Sequence, residues 1–392
     1  MNYIKDQKNL DGRIVLLRLD LNVPLKNGII TDDTRIVKIL PTLEFLVKNN
    51  SKIIIISHIG RPKGEWNDIF SMKPVCEYIN KKINKQVKLI KKNIFQLKKE
   101  QLFLNPEDQI LFLENIRFYK NEEENDMNFS KHLASLGDLF INDAFSCSHR
   151  AHASICEITK YIPSYVGLQF EAEVNALEKV TNNIKKPITC IIGGSKISTK
   201  ISIIKNLIPK FDNIIIVGGM ANNVLKYKGY SIGKSIQENN CETSINDIFG
   251  VSKNYPCSII LPVDVAVGKT MDGNAKIKEL NQIENDDIIL DIGPKTINKI
   301  KSIINKSKTI LWNGPAGYFE NPQFSKGSFE IGNQIVNQNK LDQIFSVAGG
   351  GDTFALINNF NILDNFNFVS TAGGAFLEFL EGKELPGIKA LN

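Results

Sequence analysis

The chain has 392 residues, 42% of them hydrophobic and 23% charged, with a net charge of +6. This composition is ordinary for a soluble globular protein, and the length favours two domains over a single core. The lysines are scattered among Asn and Ile, as at Lys81, Lys82 and Lys85, which suits solvated faces and anionic ligands better than a nucleic-acid surface.

Six cysteines (Cys76, Cys147, Cys156, Cys190, Cys241 and Cys257) form no CxxC and no Cys/His array of zinc spacing. Scattered thiols fit a reducing compartment. The stretch MNYIKDQKNLDG has no apolar core of signal-peptide length, and no run approaches the roughly 18 apolar residues that cross a membrane. A cytoplasmic protein without membrane partners is expected.

Taken in chain order, short apolar runs recur: RIVLLRLD from Arg13, KIIIISH from Lys52, QILFLEN from Gln109 and DLFIND from Asp138. They continue with PITCIIGGS from Pro187, NIIIVGG from Asn213, SIILPVD from Ser258 and DIILDIG from Asp287. KTILWNG from Lys308, QIFSVAGGG from Gln343 and FNFVSTAGG from Phe366 complete the series. Continuous apolar runs predict strands buried on both faces, hence parallel sheets with helices between them. TRIVKILPTLEFLVKN is helix-periodic, and its proline predicts a helix break. YVGLQFEAEVNALEKVTNN places Phe170, Val174 and Leu177 at helical spacing and predicts a joining helix. The expected fold is α/β: two doubly wound, Rossmann-like parallel-sheet domains with a helix hinge, divided as 1–167, 168–183, 184–371 and 372–392.

The polar motifs fall at the carboxyl ends of the predicted strands, where open α/β sheets bind ligands. In the first half, Arg35, Arg61, Arg117 and Arg150 follow strands or strand-adjacent loops, with Asp20, Asn22 and His58 among them. Guanidinium groups bind phosphate and carboxylate in bidentate fashion, so four placed alike predict a clamp for a small, multiply charged anion. The stretch NDAFSCSHRAHAS, Asn142 to Ser154, admits three further readings: a Cys147–His149 nucleophile, a His149/His152 metal pair, or a plain polar loop. Arg150 in the clamp is the reading that the other three arginines support.

In the second half, glycine clusters close successive strands in IIGGSKISTK, IVGGMANN, LWNGPAGYFE, AGGGDTFAL and STAGGAF. Glycine lets backbone approach phosphate, and the helix N-terminus that follows offers free N–H groups. Lys196 and Lys200 lie four apart, a spacing that shares one helix face. Asp352 is a hard-oxygen ligand suited to Mg²⁺ or an N-cap. GYSIGKS, Gly229 to Ser235, has one residue too few for a Walker A loop and no strand before it. GxGxxG and the HRD and DFG signatures are absent.

RLDLNVP, SHIGRP, ENIRF, NDAF with HRAHAS, GGSKISTK, LWNGP with FE, GGGDT and STAGGA occur in this order over almost the whole chain. Together they resemble the phosphoglycerate kinase family. The resemblance implies transfer of the acyl phosphate of 1,3-bisphosphoglycerate to MgADP, giving 3-phosphoglycerate and MgATP, in a monomer whose two lobes close on a hinge. It implies an acid site of Asp20, Leu21, Asn22, Arg35, His58, Ile59, Gly60, Arg61, Arg117 and Arg150. It implies a nucleotide site of Lys200, Gly218, Gly219, Asn313, Pro315, Glu320, Gly350, Gly351, Asp352 and Thr353, with Asp352 linked to the metal, and a C-terminal tail returning to the first lobe. Charge on the phosphoryl group in flight would be met by Arg35, Lys196, Lys200 and the helix N-terminus at Gly373. The chain departs from the family's usual Gly-Thr at Ser146-Cys147, and from three glycines at Ala372-Gly373-Gly374. Two other classes compete with this one: a non-catalytic relative acting as an interaction protein, which the intact Arg, Lys and Asp set disfavours, and an NAD-dependent oxidoreductase, which the missing GxGxxG disfavours.

Overall fold

The computed structural model describes residues 1–392. The chain divides into two compact units, residues 1–174 with 384–392, and residues 175–383. The division falls inside the helix Leu168–Thr181.

The first unit is built on a six-stranded sheet in the order Val87–Ile90, Ile110–Leu113, Lys52–Ile56, Ile14–Leu19, Leu139–Asp143, Ser164–Val166. All its pairings are parallel. The reason lies in the runs themselves. Ile53, Ile54, Ile55 and Ile56 are all fully buried, and successive strand residues point to opposite faces. Ile53 and Ile55 join the core with Ile36 and Leu43 of the helix Thr34–Lys48. Ile54 and Ile56 join the core with Phe129 and Leu133 of the helix Met127–Ala134. A strand covered on both sides needs apolar residues at every position, which is why these runs do not alternate.

The second unit repeats the plan. Its six parallel strands lie in the order Ser258–Ile260, Asn213–Ile216, Ile188–Ile192, Thr309–Asn313, Phe345–Gly349, Phe368–Ser370. Numbered along the unit, that order is 3-2-1-4-5-6, the doubly wound arrangement, and its direction reverses between Ile188–Ile192 and Thr309–Asn313. Loops leaving these two strands diverge to opposite faces and open a crevice at their carboxyl ends. In the first unit, Ile14–Leu19 occupies the corresponding place between Lys52–Ile56 and Leu139–Asp143. Topology alone thus nominates the residues after Leu19, Ile56, Asp143, Ile192 and Asn313.

Three expectations are corrected. Pro41 does not break its helix, which runs from Thr34 to Lys48. The carbonyl it leaves unbonded belongs to Val37, which is 45% exposed, so water can serve it. The run Ile288–Ile292 is not part of the parallel sheet but of a separate three-stranded antiparallel sheet with Asp264–Gly268 and Lys276–Glu279. Lys196 and Lys200 do not share a helix face, because the helix begins only at Ile201. Ser198 is instead pinned by Glu238, which accepts from its backbone N–H at 2.9 Å and its hydroxyl at 2.6 Å, and this holds the segment in a turn.

The helix Leu168–Thr181 forms as its apolar spacing predicts, with Phe170, Val174 and Leu177 buried. Its first turn is clasped by Asp143, whose Oδ1 accepts from the Phe170 N–H at 2.8 Å. A Cβ on Gly167 would stand 2.4 Å from the Asp143 carboxyl carbon, so only glycine lets the chain pass there.

Candidate active site

In the first unit the switch point places Arg35 and Asn22, among the expected residues, against Asp20, the residue following Ile14–Leu19. The Asp20 carboxylate accepts from the Arg35 guanidinium, from the Ser146 hydroxyl, and from the Asn22 N–H at 3.2 Å. Burial pushes this carboxyl up, but the Arg35 charge, with His58 and the Ser146 hydroxyl, outweighs it and holds Asp20 below the usual carboxylate range. Asn22 Oδ1 accepts from the Gly60 N–H at 2.9 Å, and Arg117 donates to the Gly60 carbonyl at 2.9 Å. The loop His58–Gly60 is therefore tied to two other strand ends. Leu21 and Ile59 are buried beneath it. Arg61 is exposed beside Gly60, and no hydrogen bond joins it to the others. Arg150 is half-buried and donates to His149 Nε2 at 3.2 Å.

Sequence reasoning missed the residue beneath this cluster. Arg18, inside the strand, is fully buried. It donates to Ser154 Oγ at 2.9 Å, contacts His58 Nδ1 at 3.2 Å and reaches Cys147 Sγ at 3.8 Å. Ser154 passes the contact on to the buried carboxylate of Glu122 at 2.7 Å. Arg18 sits within an otherwise apolar run; a lone charge there was the available signal, since a buried arginine needs partners.

This geometry bears on the Cys147 reading of Asn142–Ser154. Cys147 is buried beside Arg18, and burial, with the Asp20 charge, raises its pKa. It is a thiol, not a poised nucleophile. His152 is pushed down to about 3 by burial and by Arg117, so it stays neutral. Asp20, His58 and Cys147 do bring ligand atoms within 4.8 Å of one another. The same atoms are already engaged by Arg35 and Arg18, and a cation would enter against that charge. The arrangement favours an anion.

In the second unit the switch point carries Lys200 and Asn313. Lys200 Nζ donates to the Gly193 carbonyl at 2.6 Å and to Asn313 Oδ1 at 2.5 Å. Burial lowers its pKa to about 8, partly offset by Cys190 and Asp352. Asn313 also donates through Nδ2 to the Gly349 carbonyl at 2.6 Å, and Thr353 Oγ1 accepts from the Gly314 N–H at 2.7 Å. Three strand ends are thus cross-linked by side chains. They approach so closely that a Cβ on Gly193 would lie 2.1 Å from the Pro315 carbonyl oxygen, and one on Gly218 2.9 Å from it.

Beside them opens a cavity of about 490 Å³ lined by Gly194, Gly218, Gly219, Pro315, Glu320 and Asp352, among others. Gly218 and Gly350 cap the helices Gly219–Tyr227 and Gly351–Asn359 at positive φ, so backbone N–H groups are presented without a side chain in the way. Gly373, at φ 52, opens the short helix Gly374–Leu380, and open space surrounds the position a Cβ would take. Ala372 is buried, 3% exposed. Lys196 is exposed in the turn before Ile201. Asp352 is an exposed carboxylate in the first helical turn, a donor of the type Mg²⁺ takes. Lys234, from the stretch Gly229–Ser235, also lines the cavity. That stretch is no Walker A loop: Gly233 bridges Ile288 and no strand precedes it.

The comparisons agree with one another. The family model for phosphoglycerate kinase matches residues 4–383. Phosphoglycerate kinase of Wolbachia sp. subsp. Brugia malayi is 43% identical over 388 residues, covering 98% of this chain and 96% of the relative. That of Dictyoglomus turgidum is 44% identical over 388 residues, covering 98% and 97%. The solved phosphoglycerate kinase of Coxiella burnetii superposes with a TM-score of 0.90 at 39% identity, covering 99% and 98%. That of Pyrococcus horikoshii gives 0.83 at 28%, covering 100% and 98%.

Proposed function

The chain belongs to the phosphoglycerate kinase family, and from that premise we propose that its two switch points hold the two substrates of an in-line phosphoryl transfer. The chain is a kinase; the finer reading concerns how its residues perform the reaction. The acid substrate, 3-phosphoglycerate or 1,3-bisphosphoglycerate, binds the cluster of Asp20, Asn22, Arg35, His58, Arg61, Arg117 and Arg150. ADP or ATP binds the cavity, with phosphates on the glycine loops and Lys200, and ribose at Glu320.

The chemistry needs no general base. The group that leaves the acyl phosphate is a carboxylate, already a weak base at neutral pH. What transfer needs is positive charge on the three equatorial oxygens in flight, alignment and exclusion of water. Arg35, Lys196, Lys200 and the backbone at Gly373 supply charge. Magnesium, carried in with the nucleotide, adds its own charge, and Asp352 is the residue that would hold it. Closure of the two units on a hinge aligns the substrates and excludes water. The protein acts in the cytoplasm as a monomer.

The observation that carries this reading is Lys200, half-buried and held on Asn313 and Gly193 at the one place where the sheet order reverses. An ammonium kept there serves an anion arriving over the glycine loops. The test is a coupled assay with 3-phosphoglycerate, MgATP and glyceraldehyde-3-phosphate dehydrogenase, following NADH loss. Arg35→Ala and Lys200→Ala are each expected to lower kcat by about 10²–10³. Turnover within twofold of wild type in both variants would refute the assignment of charge stabilisation.

A further inference from the structure

We infer that Glu238 is a positioning residue for phosphoryl transfer: its carboxylate holds the turn 195–200 in the shape that readies Lys196 and Lys200 for the anion. The inference rests on the assignment of the phosphoryl charge to these two lysines and names what orders them. The helix after Lys200 begins only at Ile201, so no helical ladder fixes the turn. Two local bonds shape it: the Lys200 N–H donates to the Ile197 carbonyl at 2.9 Å, and the Thr199 hydroxyl to the Lys196 carbonyl at 2.9 Å. The grip from outside is that of Glu238. Its Oε2 accepts from the Ser198 N–H at 2.9 Å and its Oε1 from the Ser198 hydroxyl at 2.6 Å. Two oxygens on two donors of one residue fix an angle as well as a distance. Burial raises this carboxyl, but the Ser198 hydroxyl and N–H, the Ile197 backbone and the charge of Lys196 outweigh it and hold it below the usual carboxylate range. The acceptor is therefore charged at neutral pH.

Glu238 is itself held still. Its N–H donates to Asn223 Oδ1 at 2.8 Å, and two residues earlier the Ile236 carbonyl accepts from Asn222 Nδ2 at 3.1 Å. Both asparagines are buried in the helix Gly219–Tyr227. The first residue of that helix lies close to both partners: a Cβ on Gly219 would stand 2.9 Å from Ile236 Cγ2 and 3.1 Å from Ser195 Cα. The acid thus stands on the helix that opens at a glycine loop, and it reaches the turn that carries the lysines. A surface turn can open without unfolding the sheet behind it, so what these bonds set is geometry. In transfer chemistry a misplacement of about 1 Å costs about 10²-fold. Without Glu238 the Ser198 donors would turn to water, which sets no direction.

The test is a double-mutant cycle on the intact chain, read by the coupled assay with 3-phosphoglycerate and MgATP. Glu238→Ala is expected to lower kcat by about 10- to 100-fold while its KM for 3-phosphoglycerate stays unchanged. Added to Lys200→Ala, it is expected to cost a smaller factor than in wild type, because one of the two groups it orders is gone. A residue that only supports the fold would cost the same factor in both backgrounds, and that result overturns the inference. Turnover of folded Glu238→Ala within twofold of wild type overturns it as well. Should Glu238→Ala not fold, Ser198→Ala deletes the hydroxyl end of the same bond pair. It is expected to lose about fivefold in kcat, and wild-type turnover there overturns the inference. Wild-type turnover in Lys200→Ala alone would instead overturn the reading of the lysines, a distinct result.

Discussion

Lys200 gives the clearest dependence on pH at the scale of single residues. Burial has brought its pKa down to about 8, so the free enzyme discharges it as pH rises through that value. The ratio kcat/KM for MgATP is expected to fall on an alkaline limb near pH 8. Lys200→Arg, which stays charged, is expected to be slower but to lack that limb; a wild-type profile flat to pH 9 would contradict the role given to the ammonium. Asp143 behaves oppositely. Burial raises its carboxyl to about 6, against about 3.9 in the unfolded chain. The folded protein therefore holds a proton that the unfolded chain has released, and the stability this gives is full below about pH 4 and lost as pH rises through 6. Asp143→Asn keeps an oxygen for the Phe170 N–H and is expected to gain about 3 kcal/mol relative to wild type between pH 4 and 7, read from urea unfolding at each pH. A constant difference across that range would show that Asp143 is ionised in the fold. Sequence reading placed Asp143 within the anion loop; the structure uses it to clasp a helix, because its partner, Phe170, lies beyond any local motif.

At the scale of elements, the two glycines Gly193 and Gly250 make a controlled pair. A Cβ at Gly193 would collide with backbone, the Pro315 carbonyl, whereas at Gly250, in the helix Glu242–Ser252, it would meet nothing within 4 Å. Gly193→Ala is expected to cost about 1–3 kcal/mol and to weaken ADP binding. Gly250→Ala is expected to be neutral or to stabilise by about 0.5–1 kcal/mol. Thermal melts with and without ADP check both, and equal effects would mean that the close approach of the strand ends is not tight. The central strand runs were legible because burial on both faces leaves an unbroken apolar signature. Val87–Ile90 and Ser164–Val166, short edge strands with partly exposed residues, were not. The turn at Lys196 was not, because Glu238, forty residues away, holds it. Glycine clusters and arginines announced the site, whereas Arg18 opens the RLDLNVP motif but lies inside a strand, where the apolar run around it hid its role.

Over the whole molecule, the second unit is one continuous stretch, 175–383, while the first is completed only by 384–392. Leu385 is buried, and the Gly387 N–H donates to the Ser148 carbonyl at 2.8 Å, in the loop that also carries Ser146 and Arg150. A fragment of residues 168–383 is therefore expected to fold and bind ADP with the affinity of the full chain. Residues 1–174 alone are expected to melt lower than the same residues supplied with a 384–392 peptide. Fragments that behave in the reverse way would show that the tail plays no part in the first unit.

That chain path sets an order of events during synthesis. Residues 175–383 leave the ribosome before 384–392 exist outside it, so the second unit can be finished while the loop at Ser148 still awaits Gly387. A nascent chain stalled near its end would hold nucleotide yet grip the acid poorly. The first unit, although encoded first, becomes whole only after the second.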